Sequence, residues 1–465
     1  MKKVLLLSVF LSFFILNSQE SIDNTLTLSE YLAYVKKFHP IVKQAQLKTT
    51  EGEIKLLKAR GAFDPKLEVD YDKKEFKKTE YFNKLNATFK IPTWYGVEFK
   101  GNYQKNSGTY LNPELTVPDD GLYSAGVSVS LAKGLWINKR MAALKQAKLY
   151  TKQLQASQQL LINDIMFDAI YIYLDWLKNY QIKRTYERYL VNAQERLDNV
   201  KKSFFAGDKP AVDTLEANIN LKSRKLDLEK SRIKYVKSRL ELANYLWLEG
   251  NIPLELQESV LPDTETIIKI EELLDVKDMN IDRAMVENHP KIQSLQFKKQ
   301  ALLVNKRLKV NNLLPQIDAE YNFLSAKTKD LIDFNTNDYK MGINVKIPIF
   351  LRKERSELRL AKLKLRDIDF SISSNKVNLE NKIKATVNEV ESYKRQNKML
   401  NDLVFDYQTL VKAEERKFTL GEGSLFRINY REVKLIETKI KTSDSEFKTM
   451  KSIANYFRLS QGFVN

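Results

Sequence analysis

The sequence predicts a mainly α-helical chain with paired membrane β segments, built as a helix, a strand pair and a long helical hairpin performed twice. Three observations carry this. Two long stretches, from Lys139 up to Gly207 and from Lys353 to Leu420, contain neither proline nor glycine. The two stretches repeat each other at a constant offset. Strictly alternating apolar and polar segments precede each of them.

At about 1.5 Å per residue each stretch makes a helix roughly 100 Å long, several times the ordinary length. Such a helix is marginal alone and needs partners along its whole surface, as in a coiled-coil-like assembly or a tall helical barrel. Lys139, Leu144, Ala147, Lys148 and Leu149 recur as Lys353, Leu358, Ala361, Lys362 and Leu363, and Phe204 and Gly207 recur as Phe418 and Gly421, all at an offset of 214. No residue is gained or lost between these anchors, although loops tolerate length change cheaply. On the return arm Ala243, Asn244 and Tyr245 recur as Ala454, Asn455 and Tyr456 at an offset of 211, about one turn shorter.

The 465 residues therefore form one two-fold unit rather than several ordinary domains. Residues 1–18 read as a secretory signal: Lys2 and Lys3, an apolar run from Val4 to Leu16, then Asn17, Ser18 and Gln19. The run falls short of the ~20 residues a membrane anchor needs. Cysteine is absent, which excludes disulfides, thiol catalysis, cysteine metal sites and an amino-terminal lipid-modified cysteine. The formal charge is +18, but lysine and glutamate are interspersed, as in Lys222 to Lys230, so the charge reads as solvated helical faces. No basic block is interleaved with stacking aromatics, and nucleic acid is not an expected partner.

The first repeat covers residues 19–248. Thr27 and Glu30 form a capping-box pattern that starts a short helix through Tyr31, Leu32, Tyr34 and Val35. It stops at His39-Pro40, and Pro40 opens the next helix, which runs to about Arg60. His289-Pro290 repeats this junction at an offset of 250. These are the two histidines of the chain, and their equivalent places predict structural caps rather than metal ligands. Strands follow at about 65–131, led by Leu67, Val69 and Tyr71 after Pro65, and the long hairpin at about 137–248. Residues 249–280 interrupt the pattern with Pro253, Pro262 and acidic residues, and read as a linker with a short helix near Glu271 to Leu274. The second repeat, 281–465, has strands at about 315–347 and its hairpin at about 351–460.

The returning strands carry Tyr123, Ala125, Val127, Val129 and Leu131 in the first repeat and Tyr339, Met341, Ile343, Val345 and Ile347 in the second. Alternation of this kind marks one apolar and one polar face. Beyond the signal no apolar stretch approaches ~20 residues, so a bilayer crossing would need a closed barrel. Trp94, Tyr95, Trp136 and Phe350 lie at segment ends, where a barrel's aromatic girdle belongs. A soluble β-sandwich is the competing reading. Two strands per repeat give four per chain, too few to enclose a pore without other subunits. The first repeat holds two further alternating segments, Leu85 to Ile91 and Val97 to Tyr103, joined at Pro92-Thr-Trp-Tyr-Gly96. They are either extra barrel strands or a hairpin lying elsewhere. Asn106 to Gly121 reads as an exposed loop.

With these pieces in place the chain resembles the TolC family of outer-membrane efflux channels over almost its whole length. The resemblance rests on the duplication, on Pro65 and Pro315 before the strands, and on Phe204-Phe-Ala-Gly207 followed by Asp213, Leu215 and Glu216, with Phe418-Thr-Leu-Gly421 as its twin. His-Pro stands where the family usually has Asn-Pro. The resemblance implies a homotrimer whose α-helical periplasmic barrel is continuous with an outer-membrane β-barrel set in lipid. It implies a periplasmic adaptor and an inner-membrane pump of RND, ABC or MFS type as partners, and passive export, by an efflux or type I secretion system, as the function. The adaptor-docking tips would be Gly207, Asp208, Lys209 and Pro210, with Gly421, Glu422, Gly423, Ser424 and Leu425. The periplasmic gate would be Asp213 and Glu216 with Arg427 and Tyr430, Arg427 pairing with Asp213 of an adjacent hairpin.

No phosphate loop, nucleophile elbow or metal-spaced histidine or cysteine cluster is present in the sequence, so no enzymatic activity, metal or cofactor is expected. Two rival readings remain. An adaptor of the same machinery should carry one hairpin between glycine-rich β domains. A secreted coiled-coil protein would leave the alternating strands unexplained.

Overall fold

A computed structural model describes residues 25–276, 279, 283–327 and 337–460. The signal segment and part of the 249–280 linker lie outside the described residues. Nine helices are described: α1 Leu28–Phe38, α2 Pro40–Arg60, α3 Lys139–Phe205, α4 Ala211–Ala243, α5 Thr266–Leu273, α6 Arg283–Asn288, α7 Pro290–Asn311, α8 Arg352–Thr419 and α9 Leu425–Ser460. The main sheet has six strands: β1 Lys66–Phe76, β2 Thr79–Pro92, β3 Val97–Ser107, β4 Leu122–Ser130, β5 Gln316–Ser325 and β6 Tyr339–Lys346.

The two long helices have 67 and 68 residues. They end at Phe205 and Thr419, equivalent positions of the duplication. Each packs against its return helix, α3 on α4 and α8 on α9. The buried residues of α4 run Ala217, Leu221, Arg224, Leu228, Ser231, Tyr235, Ser238 and Leu242, alternating steps of four and three. That is a coiled-coil seam. In α9 the same rhythm is kept by Thr438, Thr442, Ser445, Thr449 and Ser452. Small residues let the helices approach closely. Three of these threonine hydroxyls are satisfied within the helix, donating to Lys434 O, Thr438 O and Ser445 O at 2.7, 3.0 and 2.9 Å.

The core sits midway along the shaft, where α1, α2, α7 and α9 surround α3 with Tyr31, Tyr173, Trp176, Leu177, Ile292 and Tyr456. The Tyr173 hydroxyl donates to Leu26 O at 2.7 Å and accepts from Asp263 N at 3.2 Å. It thereby holds the linker and the start of the described chain against the long helix, where Thr25–Leu26 pairs in parallel with Leu261–Pro262.

The local signals explain the shorter helices. Thr27 and Glu30 form the expected capping box on α1. His39 Nδ1 accepts from Ile41 N at 3.3 Å and His289 Nδ1 from Lys291 N at 3.2 Å, each opening a helix with proline in its first turn. Both histidines are caps. The linker helix begins earlier than expected, at Thr266, because the Asp263 carboxylate accepts from Glu265 N at 2.8 Å and from the Thr266 hydroxyl at 3.2 Å.

The sheet runs β1-β2-β3-β4-β5-β6, antiparallel throughout. The two surplus segments of the first repeat are therefore strands of the same sheet, and the chain contributes six rather than four. Their turn lies on the shaft side, where Gly96 has φ +71° and a Cβ would meet Gly134 O at 2.9 Å. The sheet is open within one chain. One ladder row reads Leu67, Phe89, Gly101, Ala125, Phe323, Tyr339, and another Ile91, Phe99, Val127, Tyr321, Met341. The row Lys66, Lys90, Lys100, Gly126, Asn322, Lys340 lies on the opposite face. One face is thus apolar from edge to edge and the other polar, crossed by ion pairs such as Lys84–Asp72 and Lys100–Glu320, both 3.3 Å.

Candidate functional site

The far ends of the hairpins are closed alike. Gly207 (φ +85°) and Gly421 (φ +83°) take the left-handed conformation that ends a helix. Gly207 N donates to Phe204 O at 3.0 Å and Asp208 N to Ser203 O at 2.9 Å; Gly421 N donates to Phe418 O at 3.2 Å and Glu422 N to Lys417 O at 2.9 Å. The Lys209 ammonium lies 4.2 Å from the centre of the Phe418 ring, so the two tips touch. Of the nine tip residues, Leu425 alone is buried; it packs with Ala193, Leu197, Val200, Ala217 and Leu221. The rest are exposed or half-exposed, beside exposed Phe205, Leu420 and Phe426.

Asp213 and Glu216 are half-buried in the first turns of α4, while Arg427 and Tyr430 are exposed on α9. Glu216 accepts from Asn429 Nδ2 at 3.1 Å, which ties the two return helices together. Tyr430 stacks on Phe426 at 6.4 Å. Among the described residues no ion pair joins Arg427 to Asp213 of the same chain.

Above the tips lies a charge layer that sequence reasoning missed. Glu432 on α9 is 1% exposed and Arg224 on α4 is 4% exposed. Glu432 accepts two hydrogen bonds from Arg196 of α3 and lies 3.6 Å from Arg224. Arg196 also donates to Glu415 of α8 at 3.1 Å. Each of the four long helices supplies one charged residue. Burial works against the charge on Arg196, but Glu432 and Glu415 outweigh it and its pKa is raised. The layer separates the tip cluster around Leu197 and Leu221 from the next apolar cluster around Tyr189, Val411, Leu435 and Ile436. The legible signal was an arginine in the three-four rhythm of α4, a position that otherwise takes apolar or small residues.

Among the described residues no cluster of three or more histidine, aspartate or glutamate side chains is arranged to hold a metal, and no helix is long and apolar enough to cross a membrane.

An open antiparallel sheet at one end of two long helical hairpins, with paired glycine tips at the other, is an architecture this chain shares with solved outer-membrane channels. The *Campylobacter jejuni* CmeC outer membrane channel is 13% identical with a TM-score of 0.65, over 93% of this chain and 85% of that one. The outer membrane protein VceC of *Vibrio cholerae* is 11% identical with a TM-score of 0.66, over 94% and 97%. The open state of the *Neisseria gonorrhoeae* MtrE outer membrane channel is 13% identical with a TM-score of 0.62, over 93% and 88%. The fold is the TolC-type fold that these channels share, and residues 283–429 match the family model described as outer membrane efflux protein. No curated protein matches the sequence.

Proposed function

We propose that this chain is the subunit of a passive export duct in the bacterial outer membrane, reaching into the periplasm and serving a tripartite efflux or type I secretion system. The observation that carries the reading is the sheet with one apolar face, set at the end of a helical shaft roughly 100 Å long. An apolar-out, polar-in sheet is what a bilayer-spanning barrel requires, and a single open sheet cannot supply it. Exposed Tyr95, Trp136 and Phe350 stand at its shaft-side border, and Tyr81, Tyr110 and Tyr339 near the opposite one.

The partner that completes it is the same chain. Val212, Ile219, Leu226, Ile233 and Leu240 form a seven-residue repeat on the outer face of α4, each 58–66% exposed, and Leu363, Phe370 and Val377 form another on α8, each 58–75% exposed. Stripes of this period seek a neighbouring helix. Three copies make the trimer that family members form; they work with adaptor proteins and inner-membrane pumps. In this reading the glycine tips dock a periplasmic adaptor, an RND, ABC or MFS pump drives transport, and Arg427 pairs with Asp213 of the neighbouring subunit to keep the entrance narrow.

The test is fractionation with unboiled and boiled electrophoresis. The protein is expected in the outer membrane as a detergent-stable trimer that dissociates on heating. A water-soluble monomer would overturn the proposal.

A further inference from the structure

Among the described residues neither β1 nor β6 has a strand on its outer side, and every residue of both is exposed. β1 runs away from the shaft and β6 runs back toward it, so laid side by side they are antiparallel. Their apolar residues fall on the same face of the sheet. The stagger is also on the page. Following one ladder row, Lys66 stands opposite Lys90, then Lys100, Gly126, Asn322 and Lys340. β1 begins at Lys66, whereas β6 continues six residues past Lys340 to Lys346. The shaft-side border therefore drops by six residues in crossing six strands.

One residue of stagger per strand is the condition under which a barrel closes with strands tilted by about 36°. Resting on the trimeric reading above, we propose that the free edges pair with each other between subunits and close a barrel of eighteen strands, six from each copy. The border is continuous when Lys346 of one subunit stands opposite Lys66 of the next. On the polar face this sets Lys340 against Asp72, Gly342 against Asp70 and Asn344 against Glu68. On the lipid face it sets Met341 against Tyr71, Ile343 against Val69 and Val345 against Leu67. Asp72 and Lys340 then form an ion pair across the seam. With strands ~4.8 Å apart and this tilt, the barrel is roughly 30–35 Å across.

The chain has no cysteine, so introduced pairs report cleanly. Full-length protein carrying Asp72→Cys with Lys340→Cys is oxidised in outer membranes and run without reductant. Covalent dimers and trimers that collapse on reduction are expected, with none from either single variant. Lys74→Cys with Lys340→Cys, two residues out of step, should not cross-link. Should the double variant fail to assemble, Tyr71→Cys with Met341→Cys examines the same register on the other face. Absence of disulfides while a lysine-reactive reagent still captures trimers would overturn the edge pairing and leave the channel reading intact. Cross-linking of the out-of-step pair instead would overturn the six-residue stagger. Loss of trimers from the unmodified protein would overturn both.

Discussion

Arg196 of α3 and Glu432 of α9 meet side by side through two hydrogen bonds, Nη1 to Oε2 at 3.2 Å and Nη2 to Oε1 at 2.9 Å. The pair lies inside a bundle whose neighbouring layers are apolar, so the helices can align there in one axial position only. A one-turn slip of α9 would carry Glu432 away from both arginines, leaving it buried without a partner and Arg196 with Glu415 alone.

Removing one member of such a pair is therefore costly. Glu432→Leu takes the buried carboxylate from Arg196 and Arg224, leaving them only the more exposed Glu415 and Asp227, and is expected to lower stability by about 3–5 kcal/mol. Replacing all three residues with apolar ones of similar size should recover most of the loss. Thermal unfolding of the detergent-solubilised protein separates the cases; equal losses in the single and triple variants would mean that packing, not charge, dominates here.

The tip glycines have a different physical basis. A Cβ at Gly207 or Gly421 would touch nothing within 4 Å, so the cost of alanine is conformational alone. The positive φ sets it at about 1–2 kcal/mol per site. Asparagine, which tolerates this conformation, should cost less at either position. Faster proteolysis at the tips of the alanine variants, with the shaft intact, is the expected readout.

His289 gives the fold a pH dependence. Burial first, then Arg458 and Lys291, lower its pKa from 6.5 to about 4, and its neutral Nδ1 is the acceptor that caps α7. Between these values the unfolded chain binds the proton and the folded chain resists it. The contribution to stability is complete above pH 6.5, declines as pH falls toward 4, and changes no further below that. His39, whose pKa is lowered by burial, adds in the same direction. His289→Asn preserves a cap without a titrating group, so the melting temperature should fall less between pH 7.5 and 4.5. An unchanged slope would rule out His289 as its source.

Much of this architecture was legible because length is a strict constraint on paired helices. The 214-residue offset located both tips, and both glycines have the same φ within 2°. The caps at Thr27, His39 and His289 could be read because each depends on residues within three positions. What stayed hidden depends on contacts far apart in sequence. Whether the Leu85 to Tyr103 segments join the sheet is decided by the pairing of β3 with β4 across a long loop. Arg196 and Glu432 are 236 residues apart, and neither stands out alone. Near the tips Glu216 finds Asn429, a partner that charge pairing does not suggest.

Arg427 and Asp213 occupy equivalent places in the two repeats, one basic and one acidic, each near the start of a return helix. Within one chain they are not paired, and Arg427 is exposed. If the neighbouring subunit supplies the acid, then Arg427→Ala removes an attraction between subunits, whereas Arg427→Asp replaces it with repulsion. Exposed ion pairs contribute at most about 1 kcal/mol each, but a three-fold assembly has three of them around one opening. Single-channel conductance in planar bilayers should therefore rise with the alanine variant and rise further with the aspartate variant. Asp213→Arg in the Arg427→Asp background should bring it back toward the parent value, because the pair is restored with its signs exchanged. An unaltered conductance in all three variants would show that the entrance is held by the tips and the charge layer above them instead.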